Sequence, residues 1–270
     1  MNREMGKKFL LSILLYSLFV LIPSIAFAGG ISPECERGVP ILAYHRFGMQ
    51  SADSMTVTDF LFEAQLKYLQ ENGFKVIPLK ELVERYLAKE PLPKSRAVVI
   101  TADDGHISIY TDALPLLKKY RVPVTLFIYP SAISNASYAM TWDQLRQLKA
   151  TGLFDFESHT YWHPNFKKDR GRLKPAEYEK SVETQLKKSK EVLEKQLNQK
   201  VNMLAWPFGI YDPWLESKAA EAGYVAAFSI DRHHATPSVK RMALPRYLMT
   251  NADRGKAFER IMGGFSASNN

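Results

Sequence analysis

Short apolar runs alternate with longer amphipathic stretches along most of the chain. Residues 39–44 are apolar, follow Gly38 and precede His45, which predicts a strand with a histidine at its carboxyl end. Thr58 stands as N-cap of a helix with apolar positions Phe60, Leu61, Ala64, Tyr68 and Leu69, stopped by Asn72-Gly73. Residues 74–78 predict a strand, 80–88 a helix, and Pro91-Leu92-Pro93 a connector. The run Val98-Val99-Ile100-Thr101 suits a strand buried on both faces. A helix follows over 108–120, with Pro115 an irregularity the pattern does not place. Residues 122–129 predict a further buried strand, Thr141 caps a helix that stops at Gly152, and 154–157 form the next strand. A long charged helix is predicted over 176–197, where Tyr178, Val182, Leu186, Leu193 and Leu197 share one face. Its lysines read as a solvated outer face. Residues 201–205 predict a strand, Asp212-Pro213 open a helix ended by Gly223, 224–230 and 243–248 are strands, and Asn251 caps a last helix through Met262.

Strand and helix alternating in this way predict an α/β fold, a parallel sheet with crossover helices. The number of units suggests a single-domain distorted (β/α) barrel of about seven parallel strands, where active residues gather at the carboxyl ends of strands. His45, Asp103, Asp104 and the segment after Glu157 all occupy such ends.

Composition changes the picture mainly at the amino terminus. Arg3, Lys7 and Lys8 precede a mostly apolar stretch over 9–22, and Ala26-Phe27-Ala28 has the form of a cleavage site. Residues 1–28 are therefore expected to be a signal peptide, 29–270 the catalytic domain, and the product periplasmic or extracellular. The rival reading is an uncleaved membrane anchor, for which the run is short and broken by Pro23. Removing Arg3, Lys7, Lys8 and Glu4 from 36 basic and 28 acidic residues lowers the net charge from +8 to +6. That surplus suits association with anionic envelope polymers, while the clustered pattern of a nucleic-acid reader is missing. The single Cys35 can form no intrachain disulfide. No other long apolar run occurs, so no transmembrane span is expected after cleavage, and a monomer is expected.

The candidate chemistry lies in two segments. Asp103-Asp104-Gly105 ends the central strand, and two adjacent carboxylates need a cation between them or a shared proton; taken alone, the triplet could also be a polar turn. Ser158-His159-Thr160-Tyr161-Trp162-His163-Pro164 places two imidazoles four residues apart, a spacing that on one turn of helix turns both to the same side. Asp104 would add an oxygen to the two nitrogens, leaving positions open for water and substrate around one divalent ion. Zinc is favoured, and nickel, cobalt or iron would fit the same ligands.

With these motifs, the chain resembles the NodB-homology polysaccharide deacetylases, carbohydrate esterase family 4. Thr101-Ala102-Asp103-Asp104-Gly105 is similar to the family's Thr-Phe-Asp-Asp-Gly, and residues 158–164 match its His-Ser/Thr-x-x-His-Pro segment. Leu204-Ala205-Trp206-Pro207-Phe208-Gly209 occupies the place of Arg-x-Pro-Tyr-Gly, and Val39-Pro40-Ile41-Leu42-Ala43-Tyr44-His45 resembles the opening strand. The resemblance implies a NodB-like barrel in which Asp103 is the general base, Asp104, His159 and His163 hold the metal, and acetyl is removed from N-acetylated sugars. It further implies an oxyanion site near Phe208.

Two departures shift roles to other residues. Ala205 stands where the family's base-orienting Arg is expected, and Arg246 in Leu244-Pro245-Arg246-Tyr247 is the proposed substitute, the other reading being a surface Arg at a strand end. No late Leu-x-His follows residue 248, so His45 is taken as the acid that protonates the leaving amine, the other reading being a structural histidine with its hydrogen bonds satisfied. These details are closest to the poly-β-1,6-N-acetylglucosamine deacetylase branch, which favours that polymer over chitin or peptidoglycan. Trp142, Tyr161, Trp162, Trp206 and Tyr211 are candidate sugar-stacking rings, with Pro207 and Phe208 beside them. The alternatives are a catalytically weak carbohydrate-binding protein on the same fold and a glycoside hydrolase; adjacent Asp residues suit the latter poorly.

Overall fold

The computed structural model describes residues 38–93 and 96–263. The expected signal peptide and Cys35 lie outside these residues. In chain order the first half comprises β1 (Ile41–Tyr44), β2 (Arg46–Gly48), β3 (Thr56–Thr58), α1 (Asp59–Glu71), β4 (Lys75–Val76), α2 (Leu79–Leu87), β5 (Ala97–Asp103), α3 (Leu114–Tyr120) and β6 (Val124–Ile128). The second half comprises α4 (Trp142–Ala150), β7 (Phe154–Ser158), α5 (Phe166–Arg172), α6 (Pro175–Leu197), β8 (Met203–Ala205), α7 (Pro213–Glu221), β9 (Ala226–Phe228), β10 (Tyr247–Leu248) and α8 (Lys256–Ile261).

Seven strands run parallel in the order β10-β1-β5-β6-β7-β8-β9, and β4 pairs with the first residues of β5. The sheet curls into a distorted barrel. Its two ends are drawn together by one short segment: Leu244 bridges to Phe228 in β9, and β10, three residues on, pairs with Leu42 and Ala43 in β1. Because side chains alternate along a strand, each strand contributes to two apolar layers. In β5, Val98, Ile100 and Ala102 pack outward under the helices, while Ala97 and Val99 join Ile41, Phe127, Met203, Ala205, Phe228 and Leu244 inside. Asp103 shares the parity of Val99 and therefore points inward.

Local chemistry explains the helix ends. Thr58 Oγ1 accepts the Leu61 N–H, Asp212 Oδ1 accepts the Leu215 N–H ahead of Pro213, and Thr141 and Gln144 cap each other reciprocally. Pro115 falls in the first turn of α3, after a π-helical turn over Ile109–Ala113 has shifted the hydrogen-bond register. A residue without N–H costs little there.

Two expectations are corrected, and one element comes in addition. Phe60 is 84% exposed, because α1 turns Leu61, Phe62, Gln65, Leu66 and Leu69 inward instead. Asn251 caps no helix: its Oδ1 accepts the Thr58 N–H and hydroxyl, while α8 begins after Gly255. The short α5 was not foreseen, since only Phe166 among its residues is buried and no apolar period marks it.

Candidate active site

Asp103 ends β5 and is almost wholly buried. Arg246, also buried, approaches from the closing segment and grips it with two parallel bonds, Nη1 to Oδ1 at 2.8 Å and Nη2 to Oδ2 at 2.7 Å. Two further guanidinium donors are used as well: Nη1 reaches Thr101 Oγ1 and Nε the carbonyl of Ser229. Its Cζ lies 5.1 Å from the centre of the Phe127 ring. Burial alone would raise the Asp103 pKa, but the adjoining guanidinium overcomes it and holds the carboxyl well below the usual range.

Asp104 and Gly105 follow at φ of 73° and 74°. Two left-handed residues in succession turn the chain sharply, and a Cβ on Gly105 would lie 3.0 Å from Ile133 Cδ1, so glycine is needed there. The turn places Asp104 Oδ1 at 3.6 Å from His159 Nε2 and 3.8 Å from His163 Nε2. These separations exceed hydrogen-bond length, and the buried Oδ1 has no hydrogen-bond partner among the described residues. Burial raises the Asp104 pKa.

His159 follows β7 directly. Its Nδ1 lies 2.8 Å from the carbonyl oxygen of Ala205, which can only accept, so the ring proton sits on Nδ1 and the Nε2 lone pair is free. Burial pushes its pKa down to about 3. The segment between the two histidines is not the helical turn expected: Thr160 and His163 adopt positive φ of 65° and 58°, and Thr160 Oγ1 accepts the His163 N–H. The loop nevertheless brings the two imidazole rings to 4.6 Å between centroids. Ligand atoms of Asp104, His159 and His163 all lie within 4.8 Å of one another. A buried, unpartnered carboxylate oxygen facing two imidazole nitrogens fits a divalent cation bound by oxygen and nitrogen. The Ala205 carbonyl supplies the outer hydrogen bond that fixes such a ligand's tautomer.

His45 stands on the other flank of Asp103, its Nε2 4.0 Å from Asp103 Oδ2. Its Nδ1 is buried without a hydrogen-bond partner among the described residues, and burial lowers its pKa despite the two nearby carboxylates. Around this cluster Trp162 and Phe208 are 50% and 57% exposed, and the Phe208 ring lies 4.6 Å from that of His163. Tyr161 sits under Lys188, whose Nζ is 4.2 Å from the ring centre. Trp206 is a correction: its ring is 1% exposed and its Nε1–H donates to the Met242 carbonyl, so it packs in the core and offers no face to a sugar. Pro207 is likewise buried. Tyr211 donates to Asp231, and Trp142 packs partly buried against the core in the first turn of α4. Tyr129 was missed. Its ring lies 5.3 Å from His163 and its hydroxyl 2.6 Å from that of Tyr138. Its place just after β6 was the available signal, since His45, Asp104 and His159 likewise follow strand ends directly.

The family described as polysaccharide deacetylase matches residues 91–227. A poly-β-1,6-N-acetyl-D-glucosamine N-deacetylase of Staphylococcus epidermidis is 31% identical over 220 residues, covering 80% of this chain and 74% of that protein. The protein of the same name in Staphylococcus aureus is 30% identical over 212 residues, 77% of this chain and 71% of that one. Among solved structures, the Streptococcus pyogenes deacetylase PplD in complex with acetate superposes with a TM-score of 0.74 at 26% identity, covering 83% of this chain and 98% of that one. IcaB from Ammonifex degensii gives a TM-score of 0.72 at 23% identity over 86% and 98% of the two chains, a likeness of fold.

Proposed function

This chain belongs to the polysaccharide deacetylase family, and on that premise we propose that it hydrolyses the N-acetyl groups of a poly-β-1,6-N-acetylglucosamine-like polymer outside the cytoplasm, with one divalent cation held by Asp104, His159 and His163. The observation that carries the reading is the unpartnered Asp104 Oδ1 facing two imidazole Nε2 atoms, beside an Asp103 clamped by Arg246. Zinc is the ion this donor set favours. When bound, the cation supplies Lewis acidity toward water and toward the acetamide carbonyl.

Asp103 is the base. Both its oxygens face Arg246, which fixes the carboxylate plane, and Oδ2 also lies 3.9 Å from His159 Nε2, so it borders the cluster where the attacking water would stand. The guanidinium keeps it ionised and fixes its carboxylate where it can accept a proton from water. His45 stands next to it and hands a proton to the departing sugar amine. Burial keeps that imidazole neutral at rest, so the proton it delivers is the one Asp103 takes from the attacking water, passed from Asp103 to His45 Nε2, which stands 4.0 Å from Oδ2. Trp162 and Phe208, both exposed, are the rings that take the sugar, Phe208 beside His163, and the family resemblance puts the oxyanion donor, a backbone N–H, near Phe208.

The test is acetate release from β-1,6-linked N-acetylglucosamine, chitin and peptidoglycan oligomers, alongside direct zinc binding. Asp103→Asn is expected to abolish release while zinc still binds; His159→Ala loses both. Undiminished release by either variant overturns the assignment, and preference for chitin overturns the choice of polymer. Export is tested by locating the protein in fractionated cells.

A further inference from the structure

The inner face of α6 buries Tyr178, Val182, Leu186, Leu193 and Leu197, yet two polar residues share it, Gln185 and Ser189, both with no exposed surface. They stand one turn apart and point at the same loop. Gln185 Oε1 accepts the N–H of Tyr161 at 3.1 Å and of Trp162 at 2.9 Å. Both partners are backbone donors, so the amide can be oriented only with its oxygen toward them. The Gln185 Nε2 has no hydrogen-bond partner among the described residues, a cost that packing against the sheet does not account for. Ser189 contributes a second line: its Oγ lies 2.8 Å from Ser158 Oγ, which accepts the Thr160 N–H, and Thr160 Oγ1 accepts the His163 N–H. The loop so held contains two non-glycine residues at positive φ, a shape that needs outside support.

We propose that Gln185 is a positioning residue that holds the 160–163 loop in the shape that aims His163 at Asp104. The proposal rests on the reading that Asp104, His159 and His163 hold a cation. Gln185 touches neither the ligand atoms nor the sugar; it acts through the two amides of Tyr161 and Trp162, which lie between the histidines.

Zinc binding to the purified protein, measured by competition with a chromophoric chelator, tests this in wild type, Gln185→Met, Gln185→Glu and His163→Ala. Methionine keeps the volume and removes the acceptor; glutamate keeps an acceptor oxygen. By the usual effect of losing an outer hydrogen bond at a metal site, Gln185→Met is expected to weaken zinc binding about 10- to 100-fold, and Gln185→Glu by less than about threefold. Circular dichroism of the zinc-free variants establishes that they are folded, and a change in affinity of a folded protein is not a stability effect. A folded Gln185→Met with wild-type affinity, or a Gln185→Glu as weak as Gln185→Met, overturns the proposal. Equal zinc binding by wild type and His163→Ala would instead overturn the metal reading beneath it. Should Gln185→Met not fold, amide hydrogen exchange in chelator-treated wild type decides: slow exchange at Tyr161 and Trp162 upholds the clamp, and exchange at open-loop rates ends it.

Discussion

At the scale of single residues, the pairing of Asp103 with Arg246 sets both a charge and an orientation. Neither partner is exposed, so removing the guanidinium strands a buried carboxylate, a loss of about 3–5 kcal/mol by comparison with other broken buried pairs. Arg246→Met should therefore lower the urea midpoint. It should also raise the Asp103 pKa, since the cation that depresses it is gone, and move the acid limb of the kcat/KM profile to higher pH. An acid limb unchanged in a folded, active variant would separate Arg246 from the base. Trp162→Ala tests the sugar-facing ring: a KM on polymer raised roughly threefold to tenfold with kcat retained is the size expected of one aromatic contact. Much of this residue-level arrangement was legible. Asp103 inherits its inward direction from the parity of the strand, and the two histidines follow the next strand but one. The fate of Trp206 was not, because a tryptophan beside a predicted site looks the same in sequence whether its indole N–H meets water or the Met242 carbonyl.

At the scale of elements, strands and long helices were readable from period and caps, whereas the turns that bring Asp104, His159 and His163 together were not. Nothing in His-x3-His distinguishes a helical turn from a loop with two left-handed residues, because the choice is made by hydrogen bonds that the loop donates to α6, more than 20 residues further on. The turn after β8 is similar. Phe208 sits at φ of 57° and Gly209 at 65°, and a Cβ on Gly209 would come within 2.4 Å of Ile230 Cγ1. Gly209→Ala is expected to cost about 1–3 kcal/mol in thermal unfolding and to displace the Phe208 ring. Trimming the obstacle with Ile230→Ala in the same chain should recover part of the loss, and no recovery would mean that the φ requirement dominates.

At the scale of the whole molecule, the barrel is held by a few buried polar ties as well as by its apolar layers. Glu157 in β7 accepts the N–H groups of Asn202 and Met203 at the entrance to β8, and its burial pushes its pKa up to about 8. A carboxyl that binds its proton more tightly folded than unfolded stabilises the fold in full below its ordinary pKa of 4.5, and the contribution disappears as pH rises through about 8. Unfolding of the zinc-free protein between pH 5 and 9 should show wild type losing on the order of 3–5 kcal/mol relative to Glu157→Gln. Parallel pH curves for the two would remove Glu157 from that account. Closure itself was only partly legible: the alternation of elements announced a barrel, but not that one segment would bind both β9 and β1, since its run of apolar residues is too short to show two partners.

That closing segment gives the protein a chronology. The carboxylates at 103 and 104 and the imidazoles at 159 and 163 leave the ribosome well before Arg246, which lies 143 residues beyond its partner. Until the last stave of the barrel arrives, Asp103 has no counter-charge and the sheet has no second edge contact. A nascent chain cut short before Arg246 therefore carries both carboxylates and both imidazoles with Asp103 unpaired, and the proposed hydrolytic site is completed only when Arg246 arrives.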